Sequence, residues 1–301
     1  MASPAQTAAV PSSTPKPNPN AKPSPSPSQP PVSILPSQFA RVYSFAHPAL
    51  LLSLVALRFS NVIENPVSEL LNDIPYLVGL QVVYVMGCLP PAGSEKSGGP
   101  GPGAEKEKKI GSGSLGPGPR RRGKSAPGGT GWSSGLVLVV WRLTPALLSL
   151  TLTTLLATPT LALLLVLFGA PATTHHALTF LAATHMALLS SFPLIYVHGV
   201  DGPVWKEIWG AARPADAVWG GALGACFGSW VGAVPIPLDW DRPWQAYPIT
   251  ILTGAYIGFC AGMLIGRVKG VFGKTIDFVP KAVTEQQGLE QKKGQEHAKA
   301  E

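Results

Sequence analysis

Two apolar stretches of helix length carry glycine at every fourth position, and no other feature restricts the fold of this chain as tightly. Gly220, Gly224, Gly228 and Gly232 form the first ladder, and Gly254, Gly258, Gly262 and Gly266 the second. Residues four apart share one face of a helix. Small residues at that spacing let two helix backbones approach closely in lipid, which supplies no hydrophobic drive to pair them. Between the ladders runs Pro235-Ile236-Pro237-Leu238-Asp239-Trp240-Asp241-Arg242-Pro243-Trp244-Gln245, in which two acids, one arginine and two tryptophans are locked between prolines. The pattern predicts a tight antiparallel hairpin with a rigid polar tip at a membrane surface. Pairing about Pro243 sets Gly232 beside Gly254, Gly228 beside Gly258, Gly224 beside Gly262 and Gly220 beside Gly266. A repeat of four overshoots the 3.6-residue turn by about 40° per step. Contact is therefore expected to be closest over two or three of these four pairs.

Composition places that hairpin in a membrane. Of 301 residues 46% are hydrophobic and only 13% charged, against about a quarter charged in soluble domains. Most Lys and Arg fall in the tails and one loop. The class is an all-α polytopic membrane protein with about six transmembrane helices. The net charge of +7 is no nucleic-acid signal, because the basic residues lie in Gly/Pro-rich segments without interleaved aromatics. Cys88, Cys226 and Cys260 lie in or at the ends of apolar segments, at spacings that fit neither a metal site nor a disulfide framework.

Residues 1–36 are rich in Pro, Ser, Ala and Asn and read as a disordered tail. Residues 37–90 hold the first two spans. One runs from about Phe39 to Phe59, kinked at Pro48, and the other from Ile74, or from Leu70, to Leu89, with an acidic connector from Asn61 to Asp73. The Gly/Pro/basic segment 91–134, with Arg120-Arg121-Arg122, reads as a disordered cytosolic loop with a solvated or lipid-facing Arg run. Residues 135–268 hold spans three to six. Gly135–Gly169 is too long for one crossing and too short for two. Gly135–Thr144 is expected at the interface, anchored by Trp141 and Arg142, and Pro145–Phe168 is expected to cross, a single tilted helix being the alternative. The remaining spans run over about Thr174–Val197, Ala217–Val234 and Tyr247–Val268, with a polar connector from His198 to Asp216. Residues 269–301 form a charged tail. Lys and Arg concentrate on one side of this arrangement, which predicts cytosolic termini and a lumenal tip.

The tip residues Pro235, Pro237, Asp239, Trp240, Asp241, Arg242 and Trp244 are the candidate interaction surface. Arg242 suits a phosphorylated head group or a partner domain. A plain structural turn, with Trp240 and Trp244 in the interfacial belt, is the alternative. Neither the two Asp residues nor His175, His176 and His185 make a metal set. Consecutive His175 and His176 point about 100° apart on a helix, and His185 suits a bond to a neighbouring helix. No phosphate loop, nucleophile elbow or His-Glu-x-x-His pair occurs. No catalytic residue and no cofactor is implied.

The run from Gly228 through Trp230, Gly232-Ala233, Pro235-Ile236-Pro237-Leu238-Asp239-Trp240-Asp241-Arg242-Pro243-Trp244-Gln245 and Pro248 to Gly254 and Gly258 resembles the signature of the PIG-F family, as does Leu167-Phe168-Gly169-Ala170-Pro171. The likeness spans about Phe39–Val268 and is densest from Gly220 to Gly266. The Pro/Ser-rich tail and long loop suggest a filamentous-fungal member. The resemblance implies a non-catalytic multi-pass subunit of the endoplasmic reticulum membrane in glycosylphosphatidylinositol (GPI)-anchor biosynthesis. Its implied partners are catalytic ethanolamine phosphate transferase subunits, with phosphatidylethanolamine or the GPI precursor as membrane lipids. A transferase in its own right and a lipid flippase are the competing classes.

Overall fold

The computed structural model describes residues 30–94, 131–238 and 240–275, with side chains for all of these except 131–138. Among them every regular element is helical: α1 (Gln38–Glu64), α2 (Pro66–Cys88), α3 (Gly131–Leu152), α4 (Thr158–Leu167), α5 (His176–His198), α6 (Gly202–Trp209), α7 (Ala217–Ala233) and α8 (Ile249–Ile265). Four segments are long and apolar enough to cross a membrane: α1, α2, Val139–Leu167 and α5. Helices α7 and α8 have 17 residues each, which is about 25 Å at 1.5 Å per residue.

Helix α5 is the centre of the bundle and almost wholly buried, whereas Val139–Leu167 is largely exposed. Helices α2, α4, α7 and α8 pack around it, and α1 lies across α2 and α8. His185 ties three of them. Its Nε2 donates to the Leu70 carbonyl of α2 at 2.9 Å, so its Nδ1 accepts from Tyr256 of α8 at 2.8 Å. His175 and His176 lie exposed at the start of α5, far along the helix from buried His185.

The backbone groups that proline and helix ends leave open are met by side chains. Pro48 has no N–H for the Ser44 carbonyl, and Arg267 donates to that carbonyl from the far end of the sequence at 2.7 Å. At the end of α2, Arg142 donates to Met86 O at 2.7 Å and Leu35 N–H to Cys88 O at 2.9 Å. Arg142 therefore caps the end of α2, and α3 continues unbroken through Pro145. A π-helical turn, Thr153–Ala157, joins α3 to α4. Pro159 follows it, and the widened turn makes room for a ring that would meet the carbonyl four residues back.

Three boundaries differ from the sequence expectation. The connector Asn61–Asp73 shrinks to Asn65, because Pro66 starts α2 at once and Arg58 pairs with both Glu69 and Asp73, which lets the acids enter the bundle. Residues 30–36, grouped with the tail, form a strap against the body outside any helix; Val32 is buried and donates to Asp216 Oδ2 at 3.0 Å. The connector after α5 holds a short helix, α6, which puts Val204 and Ile208 inward. The expected tail 1–29, most of the expected loop (95–130) and residues 276–301 lie outside the described residues.

Candidate functional site: the tip of the helical hairpin

Helices α7 and α8 pair antiparallel along their glycines. A Cβ built on Gly228 would overlap the Gly254 carbonyl and lie 2.9 Å from Gly258 Cα; one on Gly258 would overlap the Gly224 carbonyl and lie 2.8 Å from Gly228 Cα. Six of the eight glycines thus nest between two rungs of the opposite ladder. The pairs expected about Pro243 are neighbours at their Cα atoms, and the closest reciprocal approach falls one rung over. Gly220 meets Gly262 in this way, Gly224 meets Gly258 and Gly228 meets Gly254, while Gly232 packs on Thr250 and Gly266 on Asp216. The second Hα of each reciprocal partner points at a carbonyl oxygen, a weak hydrogen bond worth about 0.5–1 kcal/mol. Glycine-to-glycine contact is thus closest over three pairs, and the end glycines of the two ladders pack on other backbone. A repeat above 3.6 stays at one interface when the helices wrap around each other in the right-handed sense.

The hairpin closes through the candidate surface. Successive turns follow α7, with Ile236 N–H on Ala233 O at 3.2 Å and Leu238 N–H on Pro235 O at 3.1 Å. Pro243–Gln245 forms one 3₁₀ turn before α8. Gln245 holds the arch: its amide donates to the Pro235 and Leu238 carbonyls at 2.8 Å each and accepts from Arg242 N–H at 3.0 Å. Sequence reading left Gln245 out of the surface, and its type carried the only available signal, a lone amide among prolines that cannot donate. Tyr247 donates to Thr179, which donates to the Pro171 carbonyl, and so the tip is tied to the start of α5.

Around this frame Pro237, Trp240, Asp241 and Arg242 are exposed, and Pro235 and Trp244 half-buried. The Trp240 and Trp244 rings lie 5.8 Å apart at 57°. Asp241 takes φ of 51°, a left-handed conformation that Asp tolerates better than most side chains. Arg242 makes no ion pair among the described residues. Asp239 lies outside the described residues. Arg242 and Trp240, with the half-buried Trp244 beside them, form a polar and aromatic edge of the hairpin tip. Gln245→Ala would leave two carbonyls and one N–H of the arch unpaired, and is expected to cost about 2 kcal/mol, measured as a lower melting temperature of the detergent-solubilised chain.

At the opposite end of the hairpin Asp216 caps α7, accepting from Val218 and Trp219 N–H at 2.9 and 2.8 Å while also holding Val32. Burial holds its pKa above the ordinary carboxylate value, opposed by the three N–H donors and by Arg213. Among the described residues no group of three His, Cys, Asp or Glu stands close enough to hold a metal ion.

Membrane-length helices around a buried α5, with a glycine-paired hairpin that lifts a stiff tip, define an all-helical membrane protein whose distinctive surface is a loop. The profile of the GPI biosynthesis protein family Pig-F matches residues 46–267. The chain belongs to that family. It is 59% identical to glycosylphosphatidylinositol anchor biosynthesis protein 11 of Aspergillus fumigatus over 83% of this chain and 87% of that one. The protein of the same name from Neurospora crassa is 42% identical over 78% of each chain. A human protein, "GPI ethanolamine phosphate transferase, stabilizing subunit", is 34% identical over 33% of this chain and 48% of its own length. No solved structure matches.

Proposed function

We propose that this chain is a non-catalytic subunit of GPI-anchor biosynthesis that stabilises an ethanolamine phosphate transferase in the endoplasmic reticulum membrane. It crosses six times, through α1, α2, α3–α4, α5, α7 and α8, with both termini cytosolic and the tip lumenal. The name of the human relative supports the partner. The observation that carries the reading is the tip. Its backbone bonds are absorbed by Gln245, leaving Trp240, Trp244 and Arg242 free to contact something else. Tryptophan and arginine are the residues that dominate interface energies. The ladders act as a glycine zipper that holds the tip at a fixed height. Asp239 and the other tip residues complete the contact surface, and phosphatidylethanolamine or the GPI precursor is the lipid brought to the transferase.

Arg242→Ala is expected to leave the abundance of the chain near normal while lowering co-purification of the transferase about tenfold or more, as for an interface hot spot of about 2 kcal/mol. The measurement is a mild-detergent pull-down with parallel quantification of both proteins. If abundance falls in step with co-purification, the tip is a structural turn and the interface lies elsewhere.

A further inference from the structure

Two carboxylates share one guanidinium at the tip end of the bundle. Arg58 Nη2 donates to Glu69 Oε2 at 2.5 Å, its Nε pairs with Asp73 Oδ1, and its guanidinium carbon stands 5.8 Å from the centre of the Tyr76 ring. In formal charge the cluster carries one negative charge in excess, and no salt bridge among the described residues brings a second cation to it. All three residues lie within apolar, membrane-length helices. Asp73 is the most buried of the three, with 9% of its side chain exposed, and a charge buried inside membrane helices is costly and is commonly found where an ion or substrate binds.

Asp73 also lines a crevice. The space, about 30 Å³, lies between α1 and α8, bounded by Val55, Phe59 and Thr253, with His185 and Tyr256 completing its wall. His185 and Tyr256 satisfy each other and Leu70, so the Asp73 carboxylate is the one charged group on the lining. A volume of this size admits a group as large as a water molecule, which needs about 10–15 Å³. An –NH₃⁺ group is of that size and donates three hydrogen bonds, whereas a trimethylammonium is several times larger and donates none.

We propose that this crevice binds the primary ammonium of an ethanolamine head group, with Asp73 and Glu69 supplying the negative charge that Arg58 leaves over. The charge and size of the ligand follow from the site. The choice of ethanolamine among primary ammonium groups rests on the transferase association proposed above. The crevice lies at the tip end of α8, since Ile249, Leu252 and Thr253 of its first turns line it.

The full-length chain is reconstituted in nanodiscs holding equal phosphatidylethanolamine and phosphatidylcholine, and the lipids it retains are counted by native mass spectrometry. Retention of phosphatidylethanolamine over phosphatidylcholine by about tenfold is expected, the equivalent of one charge-assisted hydrogen bond. Asp73→Asn removes the charge and keeps the shape, while Val55→Phe keeps the charge and fills the space; each should bring the two lipids to parity. Melting temperatures identify a variant that has not folded, and Val55→Phe decides the matter if Asp73→Asn fails. Added O-phosphoethanolamine separates the sources: displacement of the retained lipid assigns the site to the head group alone, and no displacement assigns it to the intact phospholipid. Equal retention by the unaltered chain, or a preference that survives in both folded variants, overturns the proposal. No transferase is present in this experiment, so its failure leaves the subunit reading standing, and a failed pull-down leaves the lipid site standing.

Discussion

Gly228→Leu is expected to abolish the folded hairpin, and Gly258→Leu to do the same. At both positions the first added carbon already meets backbone: the Gly254 carbonyl and Gly258 Cα in one case, the Gly224 carbonyl and Gly228 Cα in the other. Backbone has no rotamer with which to yield. Ordinary overpacking costs about 1–3 kcal/mol, and forcing two backbones apart along five helical turns should exceed about 4 kcal/mol, the exceptional end of single substitutions. Steady-state abundance should fall about tenfold or more, since 1–2 kcal/mol already shifts it several-fold. Two controls sharpen the test. Leu223 is 39% exposed on α7, and Leu223→Ala should stay within about 0.5 kcal/mol of the unaltered chain. Gly79 in α2 has nothing within 4 Å of a built Cβ, so Gly79→Ala should be neutral or stabilise by up to about 1 kcal/mol. Immunoblotting with detergent melting curves reads all four. Normal abundance of Gly228→Leu would mean that the ladders do not face each other.

That contrast shows what the sequence made legible. Gly79 and Gly228 are the same residue type in apolar helices, and only the strict period of four separates them. The period announced the face, the partner helix and the antiparallel sense. It did not announce the half-rung stagger, because symmetry about a loop residue says nothing of how one Cα settles between two others. Charges misled for a related reason. Glu69 and Asp73 read as a polar connector because the cation that admits them, Arg58, belongs to another helix. Arg142 and Arg267 likewise act on carbonyls 56 and 223 residues away in sequence. At the tip the prolines and tryptophans stood out by type, whereas Gln245 works by reach: its amide spans carbonyls 7 and 10 residues earlier. Long-range polar pairing is what single-sequence patterns carry least.

Asp216→Ala is expected to cost about 3 kcal/mol and to loosen three segments together. The carboxylate accepts from Val218 and Trp219 at the start of α7 and from Val32 of the 30–36 strap. Loss of an N-cap alone costs about 1 kcal/mol. The Val32 N–H would also be left buried and unpaired, adding about 1–3 kcal/mol. Arg213, 1% exposed, would lose a nearby countercharge and keep Glu207 at 3.8 Å. The turn after α8 closes on the same place, with Gly273 N–H donating to Ala215 O and Ala215 N–H to Lys274 O at 2.8 Å each, while Gly266 packs on the Asp216 carbonyl. Asp216→Asn separates the contributions, because it keeps an acceptor for the helix cap and removes the charge facing Arg213. An Asn variant near the unaltered chain assigns the cost of Ala to hydrogen bonding; an Asn variant as unstable as Ala assigns it to the buried arginine. Hydrogen exchange at the Val32 amide, read beside the melting temperature, distinguishes a freed strap from a frayed helix. A Val32 amide that stays protected in Asp216→Ala would show that the strap is held by the burial of Val32 and not by this carboxylate.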